Sequence, residues 1–201
     1  MKQIRLAPAL LAPLALAACA APAYVSPVEV TRFVGASPAQ LQPGPISIVP
    51  APGLEADSLE FATWRDAVAQ QLEMLGYEVV PGAAMTAAVG ISQNVKQSGY
   101  GRRSPVTVGG GASTGTYGSG VGVGVGINLN SLAGPAPDEI DTALTVAIRP
   151  VDGGTNLWEG RALMTATTNS EYAETPAAAD RVAAALFDGF PGNDGETIEV
   201  R

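Results

Sequence analysis

Cys19 is the residue of this 201-residue chain whose surroundings point most clearly to covalent chemistry, and it is the chain's only cysteine. It follows a leucine and two alanines at the end of an apolar run that begins after Lys2 and Arg5. A basic start, a short apolar centre and small residues before a cleavage point are typical of a secretory signal, and the run is too short to span a bilayer. We therefore expect cleavage before Cys19, whose thiol could then hold a lipid as a thioether.

The residues Leu16, Ala17, Ala18 and Cys19 resemble the lipobox that signal peptidase II recognises in bacterial lipoproteins. Small side chains at Ala17 and Ala18 let the backbone lie extended in a protease cleft, while Leu16 fits an apolar pocket. The resemblance implies a diacylglyceryl group and a further chain such as palmitate on Cys19, and more than one chain is what stable anchoring requires. The alternative is an ordinary secretory signal that happens to contain a cysteine.

Residues 19–27 are predicted to form a tether that spaces the following domain from the membrane. They are rich in alanine and include Pro22 and Pro27, a composition that favours an extended, irregular chain. In enterobacteria an aspartate after the acylated cysteine retains a lipoprotein at the inner membrane, whereas this chain has Ala20. That resemblance predicts a location at the outer membrane, facing the periplasm.

Length and charge limit what the mature chain can be. Removal of residues 1–18 leaves 183 residues, about the size of one domain with a hydrophobic core, which we expect over residues 28–201. Loss of Lys2 and Arg5 leaves nine basic against 19 acidic residues, a net charge of −10. Nucleic-acid binding is not expected, because phosphate contacts need clustered lysine and arginine. With its one cysteine acylated, the chain can form no disulfide.

The spacing of apolar residues predicts an α+β domain with a mixed, mainly antiparallel, twisted sheet and two main helices packed on one face. One helix is expected from Leu59 to Leu75, capped by Asp57 with Glu60 completing a capping box. The second begins at Thr175, and residues 193–201 form a polar tail. Residues 104–108 are expected to return beside the strand at 86–95 in a hairpin. The other strands are predicted at 28–33, 46–50, 121–129, 140–150 and 157–168.

A glycine-rich stretch covers residues 109–126, where nine of 18 residues are glycine. It lacks the Gly-Lys-Ser or Gly-Lys-Thr ending of a phosphate-binding loop. Residues 109–115 are interpreted as a flexible loop, whereas strict alternation of valine and glycine after residue 120 predicts a strand with one apolar and one bare face. A bare face permits close approach by a sheet, an envelope protein or lipid. The alternative is a hairpin that faces solvent.

Three segments resemble the bacterial family known as domain of unknown function 4136. Residues 148–162 contain Asp152, five intervening residues and Trp158, followed by Gly160 and Ala162. This order is similar to the family's D-x-x-x-x-x-x-W-x-G-x-A signature, which has one residue more between its aspartate and its tryptophan. Residues 185–192 are similar to its C-terminal Phe-Pro close, and residues 72–77 match its step from a helix into a strand. The resemblance implies a lipoprotein with a mixed sheet covered by helices. It implies no catalytic residue, because no general activity is established for the family.

Catalysis is not expected, and neither are a metal or a cofactor. The chain has no histidine, so it lacks an imidazole base and an imidazole metal ligand. The remaining candidates for paired acid and base chemistry are carboxylates in predicted loops. They are Asp138, Glu139 and Asp141, with Glu171 and Glu174 as a second group. A solvated acidic surface is the alternative explanation for both groups.

Two functional hypotheses remain from the sequence. The first is a membrane-anchored envelope lipoprotein that acts as a binding or scaffolding module, with an envelope protein partner at the glycine-rich hairpin. The second is a small-molecule or glycan-binding domain, or a weak carboxylate-dependent hydrolase, with a pocket near Trp158 or Tyr100. The basic residues Lys96, Arg102 and Arg103 could contact a phosphate or a sugar acid, although such clusters are usually solvated.

Overall fold

The computed structural model describes residues 21–98, 106–115, 118–127 and 136–201. The predicted processing residues 16–19 lie outside these ranges, as do Tyr100, Arg102 and Arg103. Within them no helix is long and apolar enough to cross a bilayer.

The strands are β1 (Val28–Val34), β2 (Pro45–Pro50), β3 (Glu78–Val79), β4 (Met85–Lys96), β5 (Val106–Gly115), β6 (Gly118–Ile127), β7 (Glu139–Pro150), β8 (Trp158–Thr167) and β9 (Glu196–Val200). The helices are α1 (Leu59–Met74) and α2 (Thr175–Phe187).

Seven strands form a mixed sheet in the order β3-β2-β4-β7-β8-β1-β9. Strand β2 runs parallel to β3 and β4, and the other pairs in this sheet are antiparallel. Both helices pack against this sheet and against each other. The predicted α+β class is confirmed. The glycine-rich strands β5 and β6 form a separate two-stranded sheet and belong to a different compact unit of the chain.

Alternating apolar residues place one face of each central strand in the core. Leu144, Val146 and Ile148 of β7 are buried, as predicted from their spacing, and Ala162 and Met164 of β8 are buried beside them. Their burial removes apolar surface from water, at about 25 cal/mol for each Å². The sheet centre therefore supplies the main attachment surface for the helices.

Helix α1 begins at Leu59 as predicted, but its N-cap lies one residue after the predicted one. Ser58 is the N-cap, and its Oγ accepts a hydrogen bond from the Phe61 backbone N–H at 3.1 Å. The capping box predicted from Asp57 and Glu60 is therefore wrong, because the serine satisfies the exposed helical N–H instead. The helix ends at Met74 with Leu75 as its C-cap, one residue before the predicted end. Gly76 follows with a φ of +90°, a conformation that glycine adopts without a Cβ penalty.

The strand register corrects two predictions, the partner of β4 and the structure of residues 109–115. Strand β4 was expected to pair with residues 104–108, but it pairs with β7 along its whole length, from Met85 opposite Pro150 to Lys96 opposite Glu139. The glycines at 109–115 were expected to form a loop, but they lie in β5 and pair with β6. Glycine disfavours strands intrinsically, and in this case the pairing with an extended partner overrides that preference.

The polar tail also forms an element that the sequence did not predict. Residues Glu196–Val200 make β9, which pairs with β1 at the sheet edge. Ile198 and Val200 pack against the core, while Thr197 and Glu199 are exposed. Two apolar residues in alternation are a weak signal. The strand forms because β1 offers it a complete set of backbone partners.

Arg32 is a buried charge in β1, with 2% of its surface exposed. Its Nη1 donates to Glu196 Oε1 at 2.9 Å. The other guanidinium nitrogens donate to backbone carbonyls at the end of α2, including Leu186 at 3.2 and 3.3 Å and also Ala185 and Asp188. Since the last carbonyls of a helix have no partner within the helix, Arg32 supplies partners for them. One side chain thus joins β1, β9 and α2.

Trp158 is fully buried and lies under the end of α2. Its indole N–H donates to the Pro191 carbonyl at 2.9 Å, and its ring stacks on Phe187 with centroids 5.5 Å apart. The ring also covers Gly160, where an added Cβ would meet Trp158 Cζ2 at 2.8 Å and Leu186 Cδ1 at 2.7 Å. The spacing of tryptophan and glycine in the sequence is therefore explained by packing.

Candidate functional site

The first described residues of the chain dock along β8. The Ser26 backbone N–H donates to the Thr165 carbonyl at 2.8 Å, and Ser26 Oγ accepts from the Thr165 N–H at 2.9 Å. The Thr167 N–H donates to the Tyr24 carbonyl at 2.9 Å, and the Tyr24 N–H donates to Thr167 Oγ1 at the same distance. Val25, between them, forms a β-bridge to the same strand.

This docking changes the predicted tether. Residues 19–27 were expected to form an extended, irregular tether between the membrane and the domain, but Tyr24 and Ser26 are hydrogen-bonded to β8. Four residues, 20–23, separate Cys19 from the docked segment. At about 3.3 to 3.6 Å a residue, the five steps from Cys19 to Tyr24 span at most about 18 Å.

The same end of the sheet contains the predicted acidic group. Lys96 Nζ lies 2.5 Å from Asp141 Oδ2, and Thr165 Oγ1 donates to Asp141 Oδ1 at 2.8 Å. Glu139 is opposite Lys96 in the register. Glu139 and Asp141 therefore lie in strand β7, so their predicted loop location is wrong. Asp138 directly precedes the strand, and its backbone carbonyl accepts a hydrogen bond from the Thr168 N–H at 2.8 Å.

The electrostatics of this cluster suit an ion pair. The hydrogen bond from Lys96, followed by that from Thr165, lowers the pKa of the Asp141 carboxyl, and the bond to Asp141 raises the pKa of Lys96. A carboxyl that acts as a general acid near neutral pH needs the opposite shift. Asp141 is thus held ionised as an acceptor between two strands, and the arrangement ties β4, β7 and β8 together.

The second acidic group lies on a different element. Glu171 begins a short 3-10 helix, and Glu174 is the N-cap residue of α2. The Glu174 side chain makes no capping hydrogen bond. In the part of the chain that the structure describes, no three acidic, cysteine or histidine residues are grouped so as to hold a metal.

The predicted pocket near Trp158 is absent from the structure at that residue, because the indole is enclosed by Phe187, Phe190 and Pro191. A full set of contacts around the ring leaves no surface for a ligand. The other predicted location, Tyr100, lies outside the described residues.

A groove of about 410 Å³ lies elsewhere, between the two helices and the edge strands β1 and β9. Its walls are mixed in character, with apolar side chains, two arginines and one carboxylate. Its lining includes Gln71 and Met74 of α1, Arg181, Ala184 and Asp188 at the α2 side, and Val28, Val200 and Arg201 at the strand side. Met74 is 65% exposed, so the groove is open to solvent on the α1 side.

Arg181 is held in a fixed position in this groove. Its guanidinium carbon lies 4.8 Å from the centre of the Tyr172 ring, and Nη1 donates to the Tyr172 hydroxyl at 3.3 Å. Its Nε is buried and has no hydrogen-bond partner within the described residues. Stacking on an aromatic ring limits the freedom of the guanidinium. Together with Arg201, this side chain makes the groove suited to an anionic molecule with an apolar part.

Comparison with known proteins supplies no family, since no protein-family model matches the chain. A stretch of 64 residues is 38% identical to an uncharacterized protein of Zymomonas mobilis, which covers 32% of this chain and 24% of that protein. The chain therefore matches only a small part of that relative's length.

Solved structures show distant likenesses. A PDZ domain protein from Parabacteroides distasonis has a TM-score of 0.46 and 11% identity, covering 94% of this chain and 41% of that chain. The PelC dodecamer from Paraburkholderia phytofirmans has a TM-score of 0.42 and 12% identity, covering 83% and 99%. At these TM-scores neither likeness bears on the function.

The groove and the docked N-terminal segment were both missed by reasoning from sequence. Arg181 lies in α2 and Asp188 directly follows the helix, so two charged residues beside its apolar stripe were visible in the sequence. The strand residues opposite them, Val28 and Val200, could not be placed without knowing that β9 exists. The segment from Tyr24 to Ser26 docks on the edge of β8 that extends beyond the end of β1, and this edge could not be located without the strand order.

Proposed function

We propose that this chain is a bacterial envelope lipoprotein of the domain-of-unknown-function 4136 family, anchored by lipid on Cys19 and acting as a binding or scaffolding module. Its location would be the outer membrane, facing the periplasm, as Ala20 suggests. The observation that supports the proposal most directly is the docking of Tyr24 and Ser26 on β8. The remaining spacer is short and would restrict the movement of the domain relative to the anchor. Such a restriction suits a binding module that must keep one orientation.

The orientation also concerns the glycine-rich hairpin. The segment that contains β5 and β6 leaves the sheet after Lys96 and returns at Glu139, and these two residues are directly opposite each other. Glu139 is in turn opposite Thr167, which bonds to Tyr24. The connection to the hairpin and the connection to the anchor therefore start from the same end of the sheet. We take the hairpin as the principal binding surface.

A role without catalysis is supported by the side chains present. The sequence has no histidine, and the proposal assigns its one thiol to the lipid. Asp141 and Glu196 are each engaged in an ion pair that joins strands. A binding role needs no proton transfer, so it is compatible with two carboxylates that are held in ion pairs.

Replacing Cys19 by serine tests the anchor. We expect Cys19→Ser to lose labelling by radioactive palmitate completely and to leave the membrane fraction or remain unprocessed, because serine cannot form the thioether. Labelling and fractionation of bacterial envelopes measure both effects. The matched control Ala20→Ser changes the neighbouring residue and should keep both. Palmitate incorporation into Cys19→Ser at the wild-type level would refute the anchor.

The groove favours a second candidate function, the binding of a small anionic molecule. Arg181 and Arg201 beside the apolar Val28 and Val200 could hold an acid group and its apolar portion together. This candidate concerns a site formed by the helices and edge strands, and it is compatible with a lipid anchor.

A fluorescent probe can test the groove. The dye 1-anilinonaphthalene-8-sulfonate combines a sulfonate with apolar rings, and we expect saturable binding to the wild-type protein. Ala184 is exposed and lines the groove, so Ala184→Trp should fill it and weaken binding at least tenfold. Gln70 is exposed on α1 and does not line the groove, so Gln70→Trp should bind as the wild type does. Equal affinity in the two variants would exclude this site.

A further inference from the structure

The hairpin of β5 and β6 has two open edges. Its ten residue pairs run from Val106 opposite Ile127 to Gly115 opposite Gly118. Within the described residues neither strand pairs with a third one. In an antiparallel strand about half of the backbone N–H and C=O groups point away from the partner, so each edge presents about five of each. An isolated two-stranded hairpin is only marginally stable in water, and this one therefore favours a further strand.

The edges of the seven-stranded sheet provide an internal comparison. At one edge β3 is two residues long and is followed by Pro81. At the other edge β9 has five residues and carries Glu196 and Glu199. Short strands, charged residues and prolines are the features by which proteins prevent edge-to-edge association. The main sheet thus has protected edges, whereas the hairpin is longer and has none of these protections.

The composition of the hairpin supports the same conclusion. Residues 106–127 contain no charged residue and no proline, in a chain whose net charge is −8. Two copies can therefore meet along this segment without like charges opposite each other. The register also places glycine opposite glycine in three places, Gly109 with Gly124, Gly111 with Gly122, and Gly115 with Gly118. Such pairs leave little to obstruct an approaching backbone.

We propose that the partner of this hairpin is a second copy of the same chain, joined by edge-to-edge pairing of β5 or β6 between copies. The inference rests on the proposed function in taking the hairpin as the binding surface, and it adds the identity of the partner. Insertion into the bilayer is the less favourable fate, because open strand edges in hydrocarbon leave backbone groups without partners. Anchored copies would be confined to the same membrane, which raises the frequency at which two hairpins meet.

Crosslinking of the full chain in intact envelopes tests the proposal. Single cysteines are introduced at the middle of each strand, as Gly111→Cys and Val123→Cys, and treated with a short bifunctional maleimide. Since strands in a sheet are about 4.8 Å apart, equivalent residues of neighbouring hairpins in register lie within about 10 Å. We expect a crosslinked product of twice the chain mass. Ser92→Cys on exposed β4 is the matched control and should give none, as should the parent chain.

A charged edge gives a second measurement on detergent-extracted protein. Gly124→Lys should reduce the assembly to monomers in sedimentation velocity, whereas Gly124→Ser, which adds an uncharged side chain, should still associate. A product that joins Gly111→Cys or Val123→Cys to a different envelope protein would overturn the inference and leave the binding role of the hairpin intact. No product, or cysteines shielded from a water-soluble maleimide by lipid, would overturn the inference. If hairpin deletion also left all partners unchanged, the proposed function would fall with it.

Discussion

Replacing Arg32 by methionine is expected to lower the free energy of unfolding by about 3 kcal/mol, because removal of one partner from a buried ion pair leaves the others unpaired. The guanidinium of Arg32 is the partner of Glu196 and of the Ala185, Leu186 and Asp188 carbonyls. Each buried polar group without a partner costs about 1 to 3 kcal/mol. Urea denaturation measures the loss as a lower midpoint.

Two variants make the Arg32 experiment specific. Arg32→Lys keeps the charge but cannot reproduce the fork of donors, so an intermediate loss is expected. Arg65 pairs with Asp66 at the surface, where its side chain is 45% exposed. Arg65→Met should therefore change the free energy of unfolding by no more than about 0.5 kcal/mol. A similar midpoint in Arg32→Met and Arg65→Met would contradict the assigned role of Arg32.

The pH dependence supplies another readout of the same contact. The hydrogen bond from Asn193, followed by that from Arg32, holds the pKa of the Glu196 carboxyl below its ordinary value of 4.5. Because the folded pKa is the lower one, this contribution to stability is present above pH 4.5 and is lost as the pH falls through the folded pKa. The difference in the free energy of unfolding between wild type and Arg32→Met should become smaller over that acidic range. Part of it should remain, because Arg32 also binds the helix carbonyls, which do not titrate.

Adding a methyl group at Gly160 should have an effect of similar size. The Cβ of Gly160→Ala would overlap the Trp158 ring and the Leu186 side chain, both of which are fully buried. Overpacking of this kind costs typically about 1 to 3 kcal/mol, and two fully buried contacts place the expected loss near the upper end. Denaturant unfolding measures it. Gly44→Ala is the control, because its nearest neighbour is the Gln42 carbonyl oxygen at 4.0 Å.

A double variant separates overlap from other causes of instability. In Gly160→Ala/Trp158→Phe the smaller ring makes room for the added methyl group. We therefore expect the combined loss of stability to be less than the sum of the two single losses, by about 1 kcal/mol. Strictly additive losses would show that the methyl group at Gly160 does not act through the Trp158 ring.

The parts of the fold that were predicted correctly depend on local periodicity. Leu144, Val146 and Ile148 alternate strictly, and Phe61, Trp64 and Val68 recur at helical spacing, so the central strand and the first helix could be assigned from the sequence. The predicted N-cap was wrong by one residue, because aspartate and serine are both favoured at this position and the sequence alone does not distinguish Asp57 from Ser58. Local periodicity therefore predicts which helices and strands exist, but it does not determine the residues at which they begin and end.

The pairings that failed are those between distant residues. Strand β4 was assigned the next strand in sequence, whereas its partner β7 follows a long excursion through the hairpin. The burial of Arg32 in β1 is compensated by Glu196 and the end of α2, which are distant from it in the sequence. The candidate groove depends on the same long-range placement. Nothing in the spacing of nearby residues encodes it.

The position of β1 in the sheet has a consequence for the order of folding. This strand is among the first elements of the chain, yet its two neighbours are β8 and β9, so that Val28 lies opposite Val200 near the chain's last residue. Pairings between residues far apart in sequence form slowly, because the intervening chain must first be ordered. Among the described strands, β1 therefore finds its first sheet partner during synthesis only when β8 has emerged. The central part of the sheet, in which β4, β7 and β8 pair, can therefore form before β1 and β9 complete this side of it.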